Sequence, residues 1–276
     1  MAARRQLGVE LRRLRGGRLG ADIAAALHWS ESKLSRIETA RTGISDGDFD
    51  RLLDLLGVPA GERGRLRDLL RQSRMRVWWH PYRSAVPDPY GEYVALEAEA
   101  VTMHEWEAQV VPGLLQSDEY ARAVIEAGAD LTDPDLVQQR VALRMARQSV
   151  LTRQPPPRIS IVLDESVLRR EVGGRPVMRR QVQRLFDATG RAGMDLRILP
   201  FGAGAHAALA GSFTVFGFGP DGRDPVVHSE DLTGGLLKAR AEEVRTYRTA
   251  FEDLRRRALS VDDSRALLAR TGDDLE

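Results

Sequence analysis

The run Ala24-Ala25-Ala26-Leu27-His28-Trp29-Ser30 leaves no room for a loop between the periodic segments on either side of it. Two short helices must therefore meet across a tight turn, and the small alanines let them cross closely. Ser30 is a good N-cap, because its hydroxyl accepts an N–H left orphaned in the first turn. Trp29 precedes it and Leu34 follows at the fourth helical position, the spacing of a hydrophobic staple. At about 100° per residue, Leu34 and Ile37 share one side. Ser32, Ser35, Arg36 and Thr39 lie opposite, with Lys33 and Glu31 on the flanks. A solvated face favours long Glu and Lys side chains in i,i+4 pairs. Small residues instead let the backbone approach another surface, where an arginine fork fits a guanine edge and a lysine or hydroxyl holds a phosphate. Taken alone, these ten residues describe a short surface helix and a recognition helix equally well.

The neighbouring elements decide. Leu7, Leu11 and Leu14 repeat at i, i+4 and i+7, with Arg4, Arg5, Arg12, Arg13 and Arg15 on the other faces. Ile23, Ala24 and Leu27 face inward from a helix over 21–27. Ser45 or Asp46 caps a fourth helix carrying Phe49, Leu52, Leu53 and Leu56, which Gly57 ends. Val58-Pro59 leads to a fifth with Leu66, Leu69 and Leu70. Five short helices with a tight turn before the third have the layout of a helix-turn-helix domain.

The pattern from Ala24 through Leu27, His28, Trp29, Ser30, Ser32, Lys33, Leu34, Ser35, Arg36 and Ile37 to Glu38 resembles the second and third helices of the XRE, or lambda-repressor/Cro, family. The resemblance implies that the third helix, about 30–39, lies in the major groove of double-stranded DNA. It assigns DNA contact to Ser30, Ser32, Lys33, Ser35 and Arg36. Thr39 and Arg41, at the end of the polar face and just beyond it, complete the expected set. Glu38 resembles an acid that ties such domains together. His28 stands where the family commonly has Gly, which implies a positive φ. The link Arg15–Asp22 is a residue or two shorter than the family's.

Charge is uneven along the 276 residues. Formal net charge is +1, yet residues 1–76 hold 16 Lys+Arg against 10 Asp+Glu, and the remainder 25 against 30. A basic module on a mildly acidic body fits a chain whose first part alone meets a polyanion. Arginine abundance adds little, since only Lys33 and Lys238 are lysines and the bias looks genomic. With no cysteine, disulfides and thiolate metal sites are excluded. No apolar run is long enough to span a membrane and the N-terminus lacks a secretion signal, so a cytoplasmic location is expected.

Residues 75–91, with three prolines and Trp78-Trp79, break periodicity and read as a linker between a domain at 1–74 and another at 92–276. The latter reads as α+β, a small sheet covered by helices. Helices are expected over 91–108, 117–127, 133–152, 175–191, 239–257 and 261–270, and strands at 159–163, 194–200, 212–218 and 225–229.

Several groups here also form a recognisable order: Glu97, Glu99-Ala100, Val111-Pro112-Gly113-Leu114-Leu115-Gln116, Tyr120-Ala121-Arg122, Arg147-Gln148, Asp164-Glu165, Gly173-Gly174, Met178, Leu199-Pro200-Phe201 and Gly211-Ser212-Phe213. This order resembles the domain of unknown function in WhiJ-like regulators of actinomycetes. The resemblance implies transcriptional regulation and an antitoxin-like pairing with a small protein encoded beside the regulator. A single module contacts few base pairs, so a homodimer reading two half-sites is expected. The second domain is expected to dimerise, to bind a small-molecule effector or to bind a protein partner.

No enzyme constellation is complete. Gly202-Ala-Gly-Ala-His-Ala207 lacks the helix that would hold a phosphate behind its glycines. His104-Glu105-Trp106-Glu107-Ala108 lacks the second histidine of a zinc pair. Histidines 28, 80, 104, 206 and 228 share no ligand spacing. Asp164-Glu165-Ser166 is most simply a capping carboxylate. Val111–Gln116 sets a turn whose Leu-Leu-Gln either packs beneath it or lines a pocket. The expectation is a chain without catalytic, cofactor or metal residues.

Overall fold

The computed structural model describes residues 2–74, 88–128, 133–219, 224–231 and 234–276. The expected tryptophan pair of the linker, Trp78-Trp79, lies outside them. The chain forms two compact units, Met1–His80 and Pro81–Glu276, and the architecture is α+β.

The first unit is five helices: α1 (Ala2–Arg15), α2 (Gly20–Ala26), α3 (Glu31–Glu38), α4 (Asp46–Leu56) and α5 (Ala60–Arg74). Their apolar stripes meet in one core of Leu7, Leu11, Ile23, Leu34, Ile37, Phe49, Leu52, Leu53, Leu66 and Leu70, with Trp29 packed against it. Burying each such side chain contributes about 1.5–3 kcal/mol. Gly57 ends α4 in the left-handed conformation at φ +69°. Gly16, at φ +59°, makes the short link from α1 to α2 turn. Gly8 lets α1 cross the end of α3 at backbone contact, since a Cβ there would stand 2.4 Å from the Glu38 carbonyl oxygen.

The second unit is built on one six-stranded sheet. Its strands are β1 (Thr102–Glu107), β2 (Arg158–Asp164), β3 (Met194–Leu199), β4 (Phe213–Gly217), β5 (Val226–Asp231) and β6 (Gly234–Lys238), in the order β3-β2-β1-β4-β5-β6. β1, β2 and β3 run parallel, whereas β4, β5 and β6 pair antiparallel. The helices are α6 (Asp88–Glu99), α7 (Asp118–Glu126), α8 (Pro134–Arg147), α9 (Glu165–Arg169), α10 (Arg175–Ala188), α11 (Ala241–Arg257) and α12 (Val261–Asp274). The parallel strands need crossovers; α7 and α8 supply one, α9 and α10 the other. α11 lies on the face carrying Trp106, Val162, Leu199, Phe213, Val215 and Val227, to which it adds Val244, Phe251 and Leu254. α12 packs on α10 and β3.

Several elements differ from the sequence expectation, among them α9, which was not expected, and α8, which ends at Arg147. The helix expected over 91–108 starts earlier, at Asp88, and stops at Glu99, and residues 102–107 form β1 beside the parallel pair. The alternation of β1 is hidden because its inward positions include Glu105, which is 4 % exposed. β6 was not expected either. Its Gly235 faces His228, whose Nε2 would stand 2.1 Å from a Cβ at that position.

Gly8→Ala is expected to lower stability by about 1–3 kcal/mol, because the new methyl meets fixed backbone and not a movable side chain. A drop in the lowest thermal transition of the full chain, with α-helical circular dichroism at 20 °C unchanged, checks it.

Candidate nucleic-acid interface

The turn before α3 is a Schellman motif. The N–H of His28 donates to the Ala25 carbonyl at 3.0 Å, and that of Trp29 to the Ala24 carbonyl at 2.8 Å. His28 takes the left-handed position at φ +57°, as its place in the turn implied. Ser30 then caps α3, its Oγ accepting the Lys33 N–H at 3.2 Å. The helix is fixed from behind by Leu34 and Ile37, both buried. Its C-terminal end is held by Glu38, which takes both arms of the Arg15 guanidinium, at 2.6 Å and 3.0 Å. Ala40, at φ +60°, turns the chain out of the helix.

What faces outward differs from residue to residue. Ser32, Ser35 and Arg36 are exposed. Arg36 uses its Nε on the Ser32 carbonyl at 3.2 Å, which steadies the stem and leaves both terminal nitrogens free of carboxylates among the described residues. Arg41 is exposed and forms no ion pair among them. Thr39 is exposed, but its hydroxyl donates to the Ser35 carbonyl at 2.7 Å. Ser30 is exposed with its oxygen engaged as the cap. Lys33 is half-buried, its Nζ 2.7 Å from Asp48 Oδ2 and 4.3 Å from the Trp29 ring centroid. Asp48 offsets the Lys33 charge, and the pair ties α3 to α4.

Ser32, Ser35 and Thr39 line an open groove of about 580 Å³ whose other wall includes Arg12, Leu19 and Gly20. Arg12 was not singled out as a site residue. It is exposed and unpaired among the described residues. Its only sequence signal was a place on α1 away from the Leu7-Leu11-Leu14 stripe. The seven expected residues thus divide. Three share the groove with Arg12, Arg36 rises from the same helix, and Ser30, Lys33 and Arg41 sit at its ends or flank.

In the second unit, residues that form one order in the sequence converge on one buried network. Arg147 pairs bidentately with Glu97 at 2.6 Å and 2.9 Å, both side chains 3 % exposed or less. Its guanidinium also donates to the Tyr90 hydroxyl, stands 4.9 Å from the Tyr93 ring centroid and lies against Gly113. Gln116 donates to the Val111 carbonyl at 2.7 Å and accepts from Arg144 at 2.9 Å. Gln148 donates to the Gln116 carbonyl at 2.7 Å, and Gln181 to that of Leu115 at 2.8 Å. Leu114 and Leu115 are buried, so the Leu-Leu-Gln segment packs under its turn.

Burial, and next the Glu97 charge, push the Glu105 carboxyl well above the usual carboxylate range. Asp164 caps α9, accepting the Ser166 N–H at 2.9 Å. His104 stacks on Phe251, His206 meets the edge of Trp106, and His228 meets Tyr93. Among the described residues no three metal-ligating side chains converge, and no helix is long and apolar enough to cross a membrane.

Residues 6–66 match the family described as a helix-turn-helix domain, and residues 90–270 match a domain of unknown function, DUF5753. No curated protein and no solved structure matches the chain.

The hydrogen bond from Lys33, aided by Arg51, holds the Asp48 carboxyl down at about 2. A carboxylate depressed from about 3.9 stabilises the fold above that value, and the gain is lost as pH falls toward 2. Lys33 is partly exposed, so screening limits the gain to about 1 kcal/mol. Asp48→Asn is expected to cost about that much at pH 7 and nothing near pH 2, as read by urea unfolding at both pH values.

Proposed function

The chain belongs to the DUF5753 family and carries a helix-turn-helix domain ahead of that body, and from that premise we propose that it is a sequence-specific transcriptional regulator of the XRE type. The helix-turn-helix assignment itself implies DNA binding. α3 enters the major groove, Arg36 forks onto a base edge, Ser32 and Ser35 let the backbone come close, and Arg12 with Arg41 takes phosphates. The observation that carries this is the state of Arg36: exposed, steadied by the Ser32 carbonyl and with no carboxylate beside it among the described residues, on a helix whose opposite face is locked in the core. Arg15 and Glu38 hold that helix in place. The functional unit is a homodimer on two half-sites, because one module buries too little surface for high specificity. In this reading the second unit, WhiJ-like in its motifs, supplies the dimer contact or receives a signal and has no catalytic role.

A second reading is an antitoxin-like pairing with a small protein encoded beside the regulator, with DNA binding serving autoregulation. Two exposed apolar side chains favour it. Phe201 and Leu209, 60 % and 70 % exposed, stand on the loop between β3 and β4, where a partner's apolar side chains would cover them.

Arg36→Ala is expected to lose about 1–3 kcal/mol of specific DNA affinity and to relax one base position. Genomic fragments captured by the full chain supply the site, and a gel-shift titration reads the loss; equal shifts by wild type and variant would mean that α3 is not the reading helix. For the second reading, the product of the adjacent gene is expected to co-elute with the wild-type chain on size exclusion and to separate from Phe201→Ser/Leu209→Ser.

A further inference from the structure

A second cationic site lies on the α11 face of the sheet, in an open groove of about 1170 Å³ between that helix and β3. Its floor is organised by a single carboxylate. Asp195, on β3, accepts the Nε–H of Arg197 on one oxygen and the Nε–H of Arg255 on the other, each at 2.8 Å. Both arginines line the groove, with Arg245 and Arg256 beside them. Burial opposes ionisation of Asp195, and the two arginine hydrogen bonds outweigh it, so its carboxyl is held below the usual range and remains charged.

The geometry of this clamp matters more than its charge count. An arginine that meets a carboxylate through Nε alone keeps its second terminal nitrogen, and often both, for another acceptor. Asp195 does this twice, which places two guanidinium groups side by side with donors to spare. It cancels only one of the two charges. Four guanidinium groups line the groove, and with Asp195 three carboxylates meet them, Glu252 and Asp253 being the other two. Asp253 is already occupied by Arg256 and Arg257. Arg245 is exposed and has no partner among the described residues. This basic site sits on the part of the chain whose formal charge is net acidic.

We propose that this groove binds a phosphoryl-bearing small molecule, with Arg197 and Arg255 as the paired forks, Arg245 as a third contact and Asp195 as the residue that positions the pair. A carboxylate brings one negative charge and two acceptor oxygens, whereas a terminal phosphoryl group brings up to two charges and three oxygens, so it meets two guanidinium groups with more charge and more acceptors. A phosphoryl group is therefore the better match to a clamp that presents two. The site gives the second unit a ligand of stated chemistry. It belongs to the second unit and does not depend on the assignment of the DNA-reading helix.

Inorganic pyrophosphate titrated calorimetrically into the full chain at low ionic strength tests this. Saturable one-site binding is expected, weakened at least tenfold in Arg197→Ala and in Arg245→Ala, and unchanged in Arg36→Ala. Arg245 makes no contact that folding needs among the described residues, so its variant separates lost binding from lost structure. Citrate is expected to bind at least tenfold more weakly than pyrophosphate. Absence of saturable heat, equal affinity in wild type and Arg245→Ala, loss of the heat in Arg36→Ala, or citrate binding as tightly as pyrophosphate would each overturn the assignment.

Discussion

The bidentate contact between Arg15 and Glu38 sets the precision of the first unit. A recognition helix must hold its side chains in register with a duplex, yet α3 is only eight residues long, too short to be stable alone. Its N-terminal end is fixed by the Schellman turn and the Ser30 cap. Its C-terminal end is held by buried Ile37 and by Glu38, gripped by Arg15 where the Gly8 backbone passes close by. Charge and close packing thus act at one place. The fork sets the azimuth of α3 on α1, and the missing Cβ sets their separation. Lys33 then ties the middle of α3 to α4 through Asp48. Three restraints from three elements leave only the Ser32-Ser35-Arg36 face unrestrained.

The second unit has an analogous centre in Arg147 and Glu97. A buried ion pair gains little net stability against a well-packed apolar pair, but leaving one partner alone costs about 3–5 kcal/mol. Its value lies in geometry. Arg147 ends α8, Glu97 lies near the end of α6, and Gly113 begins the turn after β1. One guanidinium therefore fixes three chain segments that are far apart in sequence. The amides of Gln116, Gln148 and Gln181 extend the same network by satisfying turn carbonyls that burial would otherwise leave unpaired. The dense ordered motifs of this half are consistent with a framework, and they say nothing of a reaction.

The sequence made the first unit legible because its signals are local. Caps, the positive-φ turn at His28 and the Leu34-Ile37 stripe all act within a few residues. Glu38 was readable as a tie, although its partner Arg15 was not. The pairing of Lys33 with Asp48 spans 15 residues and depends on how α3 crosses α4, so periodicity left Lys33 on a flank and only the family resemblance assigned it to DNA. The place of Arg12 beside the serines likewise follows from how the helices of the first unit cross. In the second unit, β1 was unreadable because Glu105 looks polar in the sequence yet is buried within the sheet, its carboxyl pushed up by that burial. β6 was unreadable because Gly234-Gly235 reads as a turn until His228 is seen to need the space. The Asp195 clamp joins residues 60 positions apart and had no local signal.

Arginine is abundant throughout this chain, so abundance does not mark a nucleic-acid face. The distribution of carboxylates does. Arg13 and Arg65 share Glu10, Arg63 takes Asp54, Arg67 takes Asp50 and Arg51 takes Asp48. Each of these already has an acidic neighbour that offsets its charge, so a phosphate gains less there than at an arginine with none. Arg12, Arg36 and Arg41 have no such neighbour among the described residues. A phosphate arriving at any of them displaces only water and mobile counterions, which is the release that drives association with DNA. The acids of the first unit, placed over α1, α4 and α5, therefore direct binding as much as its bases do. They offset Arg13, Arg51, Arg63, Arg65 and Arg67 and leave Arg12 of α1, with Arg36 and Arg41, among the cations where a polyanion gains most.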